Sequence, residues 1–184
     1  MFVSFLWHFH QPDYRLAAGV ARLPWVRLHA AKNYLHMAEA LAQYPSVRAA
    51  FNFTPILVEQ LSALAEGTAT DRLLELARVA ACAARAFTLD EKRTLLEFCF
   101  DAHPTRVIAL YPRYAELFAR RAAARFAPII FADQDYLDLV AWFNLAWIDA
   151  NWLERDPILQ RLTEQGRDFT STDIAAILAA QFTI

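Results

Sequence analysis

The stretch Phe2-Val-Ser-Phe-Leu-Trp-His-Phe-His-Gln-Pro-Asp13 decides the fold class, because it is typical of a buried β-strand that ends in polar residues. Its large and β-branched side chains are those that strands prefer. His8 and His10 lie two positions apart, so on a strand they point to the same side. Pro12 cannot donate a hydrogen bond to a sheet and predicts the end of the strand. Two imidazoles therefore stand at the carboxyl end of a strand over residues 2–11, where sites form in α/β folds.

A second strand is predicted one helix later. Residues 12–28 are predicted to be a loop, and helical spacing predicts a helix from His29 to Gln43. Val47 to Phe53 is the second predicted strand. Thr54 and Pro55 then have the residue types of a helix N-cap and a first helical position. The order β-α-β-α predicts the opening of a parallel sheet with helices outside it, and hence an α/β fold.

Beyond residue 68 the sequence predicts helices almost throughout. Thr88-Leu-Asp-Glu91 has the pattern of a capping box, and Pro112 is expected to kink or restart a helix. The predicted helices cover residues 71–87, 88–100, 105–125, 133–147, 157–165 and 172–182, with a short strand or a linker at 127–131.

Composition excludes several classes of protein. The 184 residues carry a net charge of −2 without a long basic run, so no nucleic-acid partner is expected. No apolar run reaches the roughly 18 residues of a membrane span, and no leader peptide precedes the first strand, so a cytoplasmic protein without a membrane partner is expected. Cys82 and Cys99 are expected to be small core residues and not a disulfide. No glycine-rich phosphate loop is present, and no cofactor is predicted.

The two histidines have a structural and a functional interpretation. One histidine beside aromatic residues is usually a core residue, but two on one strand face make binding about equally plausible. The motif His8-Phe9-His10-Gln11-Pro12 resembles the N-terminal signature of glycoside hydrolase family 57, whose members act on α-glucans. Three more segments follow the order and approximate spacing of the α-amylase-like branch of that family: Leu23–Tyr34, Phe51–Pro55 and Trp142–Trp147.

The resemblance implies a (β/α)7 barrel that carries inserted helices and works by a retaining mechanism. Retention needs two carboxyl groups about 5–5.5 Å apart, and the family uses a Glu nucleophile and an Asp acid/base on strands after the helical insertion. The resemblance thus implies that residues 1–184 are the N-terminal part of a catalytic domain. Residues 1–67 would start the barrel, and residues 68–184 would be an insertion packed on it. Both catalytic carboxylates are expected beyond Ile184, so the missing C-terminal part is an expected partner.

The residues that the resemblance assigns in this chain are substrate-binding ones, for an α-glucan or maltooligosaccharide. They are His8, His10, Gln11, Trp25 and Asn52. His10 is expected to donate to sugar hydroxyls near the cleavage point, and Trp25 to offer a stacking face, although loop packing would explain Trp25 equally well. The Asn52 amide could reach the same pocket, while a strand-end hydrogen bond is a slightly better explanation.

None of the carboxylates in the chain is assigned as a nucleophile. Asp13 is nearest the motif but is typical of a loop residue, and Glu39 and Glu59 are expected to face solvent. Asp133 and Asp135 open a predicted helix, where capping explains them.

Two alternatives remain open. His8 and His10 could bind a metal ion in a deacetylase-like enzyme, although no acidic pattern supplies a third ligand, and no metal site is predicted. The chain could instead be a non-catalytic carbohydrate-binding or regulatory module. The coding sequence beyond Ile184 distinguishes an enzyme from a module.

Overall fold

The computed structural model describes residues 3–16, 19–123 and 128–184. Contacts divide the chain into two compact units, which we call the strand unit (Met1–Arg72 with Ile184) and the helical unit (Leu73–Thr183). Some predicted residues lie outside the described part of the chain: Phe2 of the first strand, Ala17 and Ala18 of the loop, and residues 124–127.

The strand unit contains two adjacent parallel strands, as predicted, although each is shorter than expected. β1 (Phe5–Phe9) pairs with β3 (Ala49–Phe53), and the register places His8 opposite Asn52. A second parallel pair, which the sequence did not predict, joins β2 (Val20–Ala21) to β4 (Thr70–Asp71).

The helices of the strand unit begin earlier than the sequence predicted. α1 (Trp25–His29) lies inside the predicted loop, and a π-helical turn (Ala30–Tyr34) connects it to α2 (Leu35–Ala42). α3 (Pro55–Ala65) has its proline at the predicted position. Thr54 occupies the N-cap position, but its side chain makes no capping hydrogen bond, and its buried hydroxyl oxygen has no partner among the described residues.

The core of the strand unit lies on one face of β1 and β3. Phe9, Val26 and Leu57 form its buried cluster. The ring of Phe9 stacks on those of Phe51 and Phe53, with centroids 5.7 and 4.7 Å away. The partly buried residues around this cluster are Tyr14, Tyr34, Met37, Phe51, Leu61 and Leu64.

The prediction that the first strand is buried was wrong for most of its length. Phe5, Leu6 and Trp7 are 52%, 67% and 47% exposed, and in β1 only Phe9 is buried. The physical reason is the size of the sheet: two strands leave both edges open, and the helices of the unit cover part of one face. Parallel sheets are normally covered on both faces.

The helical unit consists of seven α-helices and two 3₁₀ turns within the described residues. The helices are α4 (Arg72–Cys82), α5 (Leu89–Phe98), α6 (Pro112–Ala123), α7 (Asp133–Ala146), α8 (Ala150–Arg155), α9 (Pro157–Gln165) and α10 (Ser171–Thr183). The 3₁₀ turns are Ile108–Leu110 and Pro128–Ile130.

Local signals in the helical unit were mostly correct. The capping box from Thr88 to Glu91 is present, and Pro112 starts a helix after a break. The segment around Pro128–Ile130 is a 3₁₀ turn, which excludes the strand but not the linker of the two alternatives. The helix α8 was not predicted. The N-cap of α7 is Ala132, whose backbone N–H donates to Asp135.

The core of the helical unit is built around α7. Trp142 and Asn144 are 1% and 2% exposed, so the residues of the Trp142–Trp147 segment are largely core residues. Cys99 is buried as predicted, whereas Cys82 is exposed at the end of α4, and the two cysteines form no disulfide among the described residues. None of the helices in the described ranges is long and apolar enough to cross a membrane.

Candidate functional site

The carboxyl edge of β1 and β3 brings three of the predicted residues together, and we call His8, His10 and Asn52 the strand-edge cluster. The Asn52 amide nitrogen lies 3.2 Å from His8 Nδ1. The His8 and His10 rings are nearly parallel, with centroids 6.1 Å apart. All three side chains are exposed on the sheet face opposite Phe9. The alternation of side chains along a strand produces this arrangement.

The contact with Asn52 defines the chemistry of His8. An amide nitrogen only donates hydrogen bonds, so in this geometry His8 Nδ1 accepts and the ring proton is on Nε2. The described residues provide no hydrogen-bond partner for His8 Nε2 or for either ring nitrogen of His10. The cluster therefore presents polar groups that are free to bind a ligand with hydroxyl groups.

Gln11 lies in a second, more buried group beside the core. Its side-chain nitrogen donates to the Tyr34 hydroxyl at 3.3 Å, and its side-chain oxygen accepts from the Tyr14 hydroxyl at 2.9 Å. Gln60 accepts from the Tyr14 backbone N–H and donates to the Pro12 carbonyl. The Gln11 amide is therefore held in one orientation by two phenols.

Trp25 is half-buried at the start of α1, next to His29. The two ring centroids lie 6.4 Å apart, and the His29 ring in turn stacks on Tyr34 at 6.2 Å. The Asn33 amide nitrogen lies 2.6 Å from His29 Nδ1. Burial lowers the pKa of His29, which favours its neutral form. Trp25 thus joins Gln11 indirectly, through His29 and Tyr34.

The π-helical turn explains how His29 and Tyr34 come to face each other. They are five positions apart, a spacing that the wider π-helical turn places on one side, and such turns are frequent at functional sites. Tyr14, His29, Tyr34 and Gln60 were not predicted as site residues. The sequence signal that could have indicated His29 and Tyr34 is the Leu23–Tyr34 segment, in which the resemblance assigns a role to Trp25 alone.

The carboxylates of Asp13 and Glu59 both accept hydrogen bonds from Arg15. Arg15 Nε and Nη2 donate to the two oxygens of Asp13 at 2.9 and 3.0 Å, and Nη2 also donates to Glu59 at 3.1 Å. The hydrogen bonds from Arg15 lower the pKa of Asp13, which keeps it ionised and unsuited to donate a proton. Glu39 is half-buried with one buried oxygen, which corrects the prediction that it faces solvent.

The described side chains do not support a metal-binding site. In residues 3–16, 19–123 and 128–184, no group of three or more His, Cys, Asp or Glu side chains is placed to hold an ion. His8 and His10 thus have no third ligand among the described side chains, which the deacetylase alternative would require.

Comparison with protein families identifies the family of the chain, which the geometry of the site does not. The family model of glycosyl hydrolase family 57 matches residues 4–166. The chain belongs to glycosyl hydrolase family 57. The match covers the strand-edge cluster, Gln11, Trp25 and most of the helical unit. Searches of the curated proteins and of the solved structures gave no significant match. Family 57 membership makes this the sequence of a glycoside hydrolase, and its substrate and its residue roles are matters of proposal.

Proposed function

We propose that this family 57 chain is the α-glucan-binding part of a retaining glycoside hydrolase of the α-amylase or 4-α-glucanotransferase type. The observation that carries the proposal is the strand-edge cluster, in which His8 and His10 lie exposed on one sheet face, and His8 Nε2 and both ring nitrogens of His10 have no hydrogen-bond partner among the described residues. The carboxyl edge of parallel strands is where α/β enzymes bind their substrates.

The chemistry of the cluster suits a neutral sugar. Imidazole nitrogens and the Asn52 amide both donate and accept hydrogen bonds, as hydroxyl groups do. Among the described residues, the carboxylates of Asp13 and Glu59 are already paired with Arg15. In our proposal His10 and His8 bind sugar hydroxyls, and Gln11 supplies an oriented amide held by its two tyrosines.

Cleavage needs groups that this cluster does not contain. Retaining hydrolysis uses one carboxylate as nucleophile and a second carboxyl group as acid/base. We propose that the Glu and Asp used by the family are supplied by further strands of the same domain. The chain by itself would then bind an α-glucan without cleaving it.

The exposed sheet supports the proposal of further strands. Phe5 and Trp7 line an apolar groove of about 350 Å³ together with residues of α2 and β3. Leu6 on the other face is 67% exposed. A two-stranded sheet with open edges is an unstable arrangement in water, and apolar surface of this kind is normally covered. Additional parallel strands and their helices would cover both faces.

This part of the proposal predicts self-association of the purified chain. Replacing Leu6 and Trp7 together by serine should shift sedimentation towards monomer, because the exposed apolar surface is reduced. Leu89→Ser is the matched control, since Leu89 is a 54% exposed apolar residue in the helical unit. A monodisperse wild-type monomer with a sharp thermal transition would contradict the need for further strands.

Calorimetric titration tests the binding proposal directly. The chain should bind maltoheptaose and not cellohexaose, and His10→Ala should weaken binding about tenfold or more, as expected when a hydrogen-bonding group is lost from a ligand site. His103→Ala is the control, because His103 is an exposed histidine of the helical unit. Equal affinity of the wild type and His10→Ala would overturn the proposal.

A non-catalytic module is the second candidate, and the absence of a free carboxylate pair at the described cluster favours it. Sugar release separates the two. In our proposal the chain gains activity on maltooligosaccharides when the sequence encoded downstream is present, and His10→Ala then impairs that activity. Binding that never leads to cleavage in the longer protein would support the module instead.

A further inference from the structure

A cavity of about 440 Å³ opens within the helical unit, and its lining includes none of the residues of the strand-edge cluster. It lies between the start of α6, the middle of α7 and the loop that follows α9. Tyr111 and Trp142 form one wall, Arg113 and Glu116 another, and the backbone around Gly166 the third. Its volume is within the range of small-ligand pockets.

The aromatic wall is rigid. Tyr111 and Trp142 stack with ring centroids 4.5 Å apart. The Trp142 indole N–H donates to the Gly166 carbonyl at 2.8 Å, and Phe169 packs edge-on against the same indole. Trp142 is 1% exposed, so Tyr111 is the aromatic ring that a ligand can reach. No described residue provides a hydrogen bond to the Tyr111 hydroxyl.

The polar wall is also fixed. Arg113 is buried and donates to Asp135 at 2.6 Å, to Asp138 at 2.8 Å and to Glu116 at 2.7 Å. Glu116 is 44% exposed, so its carboxylate presents a held acceptor to the cavity. These contacts mean that the wall is already organised without a ligand.

The third wall is attached to the same ion-pair network. Gly166 ends α9 in the left-handed conformation, with φ of +72°, a backbone shape that favours glycine. The Phe169 backbone N–H then donates to Asp138 at 3.0 Å, and the Gln134 side chain donates to the Phe169 carbonyl. The loop is therefore held by the carboxylate that also pairs with Arg113.

The charges around the cavity balance. The cavity lining contains two cationic side chains, Arg113 and Arg167, and two anionic ones, Glu116 and Glu164. A charged ligand gains nothing from such a lining, whereas a neutral molecule with hydroxyl groups and a flat apolar face can use both the ring and the paired polar groups.

We propose that this cavity is a second sugar-binding site, which takes a hexose unit of an α-glucan and uses none of the residues of the strand-edge cluster. Tyr111 would stack on the sugar ring, while Glu116 and the Arg167 side chain would bind its hydroxyls. The inference rests on the proposed function for the class of sugar, and its residues belong entirely to the helical unit.

Nuclear magnetic resonance of the whole chain, titrated with maltotriose, tests the inference. The Gly166 amide and the Trp142 indole N–H should shift in a saturable way. Tyr111→Leu, which keeps apolar cover on Trp142, should weaken this response about fivefold to tenfold. Arg167→Ala, at a 58% exposed side chain, should weaken it less and leaves the core intact. Slow hydrogen exchange of the Trp142 indole N–H in the sugar-free variants would show that the cavity is still folded.

The outcomes separate this inference from the proposed function. His10→Ala should leave the Gly166 response unchanged, because the two sites use different residues. If maltotriose shifts the Gly166 amide of the wild-type chain but no His10 resonance, the proposed function is wrong and the second site stands. Absence of a saturable shift at Gly166 and Trp142, or wild-type affinity in both Tyr111→Leu and Arg167→Ala, would overturn the second site.

Discussion

The two units differ in how much of their apolar surface they bury and in how their buried charges are paired. The helical unit buries a large apolar core around α7, and its buried Arg113 is paired with Asp135 and Asp138. The strand unit has a small buried cluster around Phe9 and leaves Leu6 more than half exposed. The strand-edge cluster lies in the strand unit, which has the smaller buried core.

This difference shows that the two units do not rely equally on their own packing. The helical unit has the packing and the paired charges to hold its shape alone. The strand unit has polar groups at the carboxyl edge of its sheet, while Phe5, Leu6 and Trp7 of the same sheet are exposed. Substitutions should therefore act within one unit, and unit-specific hydrogen exchange can measure them.

The largest expected effect is from breaking the buried ion pairs of the helical unit. Arg113→Met leaves Asp135 and Asp138 buried with fewer partners and should lower the free energy of unfolding by about 3–5 kcal/mol. Urea unfolding followed by hydrogen exchange in α7 measures it. Arg93→Met is the control, because its pair with Asp90 is exposed and should change stability by less than about 0.5 kcal/mol. A loss below about 1 kcal/mol for Arg113→Met would show that the network adds little.

The next effect concerns the small core of the strand unit. Leu57 is fully buried, so Leu57→Ala should lower the free energy of unfolding by about 2–4 kcal/mol. Amide hydrogen exchange should become faster in α3 and β3, while α7 stays protected. Val58→Ala on the same helix is the control, since Val58 is 47% exposed. If α7 lost protection to the same extent as β3, the units would not behave independently.

A smaller effect is expected at the start of α5. The Thr88 hydroxyl accepts from the Glu91 backbone N–H at 3.3 Å, and Glu91 returns a bond to the Thr88 N–H. Thr88→Ala should cost about 1 kcal/mol, measured by thermal unfolding. Thr94→Ala, within the same helix, should cost less, since its hydroxyl only bonds a backbone carbonyl. Equal losses in the two variants would argue against the capping box.

The smallest expected effect is a difference in pH dependence between the units. Burial lowers the pKa of His29 from its ordinary value of 6.5, so its contribution to the strand unit is complete above pH 6.5 and is lost as pH falls below it. The hydrogen bond from Arg85 lowers the pKa of Glu91 from 4.5 to about 2, so its contribution to the helical unit persists down to pH 4.5 and is lost towards pH 2. Hydrogen exchange across this range should show the strand unit weakening first.

His29→Gln provides the control for that difference. Glutamine keeps a neutral side chain that accepts a hydrogen bond from Asn33 but does not titrate. The variant should lose the pH dependence of the strand unit between pH 7 and pH 5. Persistence of the full dependence would assign it to groups other than His29.

The sequence predicted the elements that have clear periodicity or end signals. β1 and β3 were found because apolar runs end at Pro12 and Pro55, and α9 was placed at its observed bounds between Pro157 and Gln165. β2 and β4 have two residues each, which is too short for any alternation to show. α8 has six residues, so it presents less than two helical turns.

The site was predicted in part for the same physical reasons. Strand alternation and the shared sheet edge were enough to bring His8, His10 and Asn52 together. The group formed by Tyr34 and His29 depends on a π-helical turn, which spacing in the sequence does not reveal. The exposure of β1 was also missed, because a strand pattern shows which side chains are apolar and not what covers them.

The response of the histidine side chains to sugar shows whether an α-glucan binds at the strand-edge cluster. Imidazole resonances of the labelled chain should be followed during titration with maltoheptaose. Our account predicts saturable shifts at His8 and His10, with the same affinity for both, and no shift at His103. Shifts confined to other histidines, or the same response to cellohexaose, would contradict an α-glucan site at the strand-edge cluster.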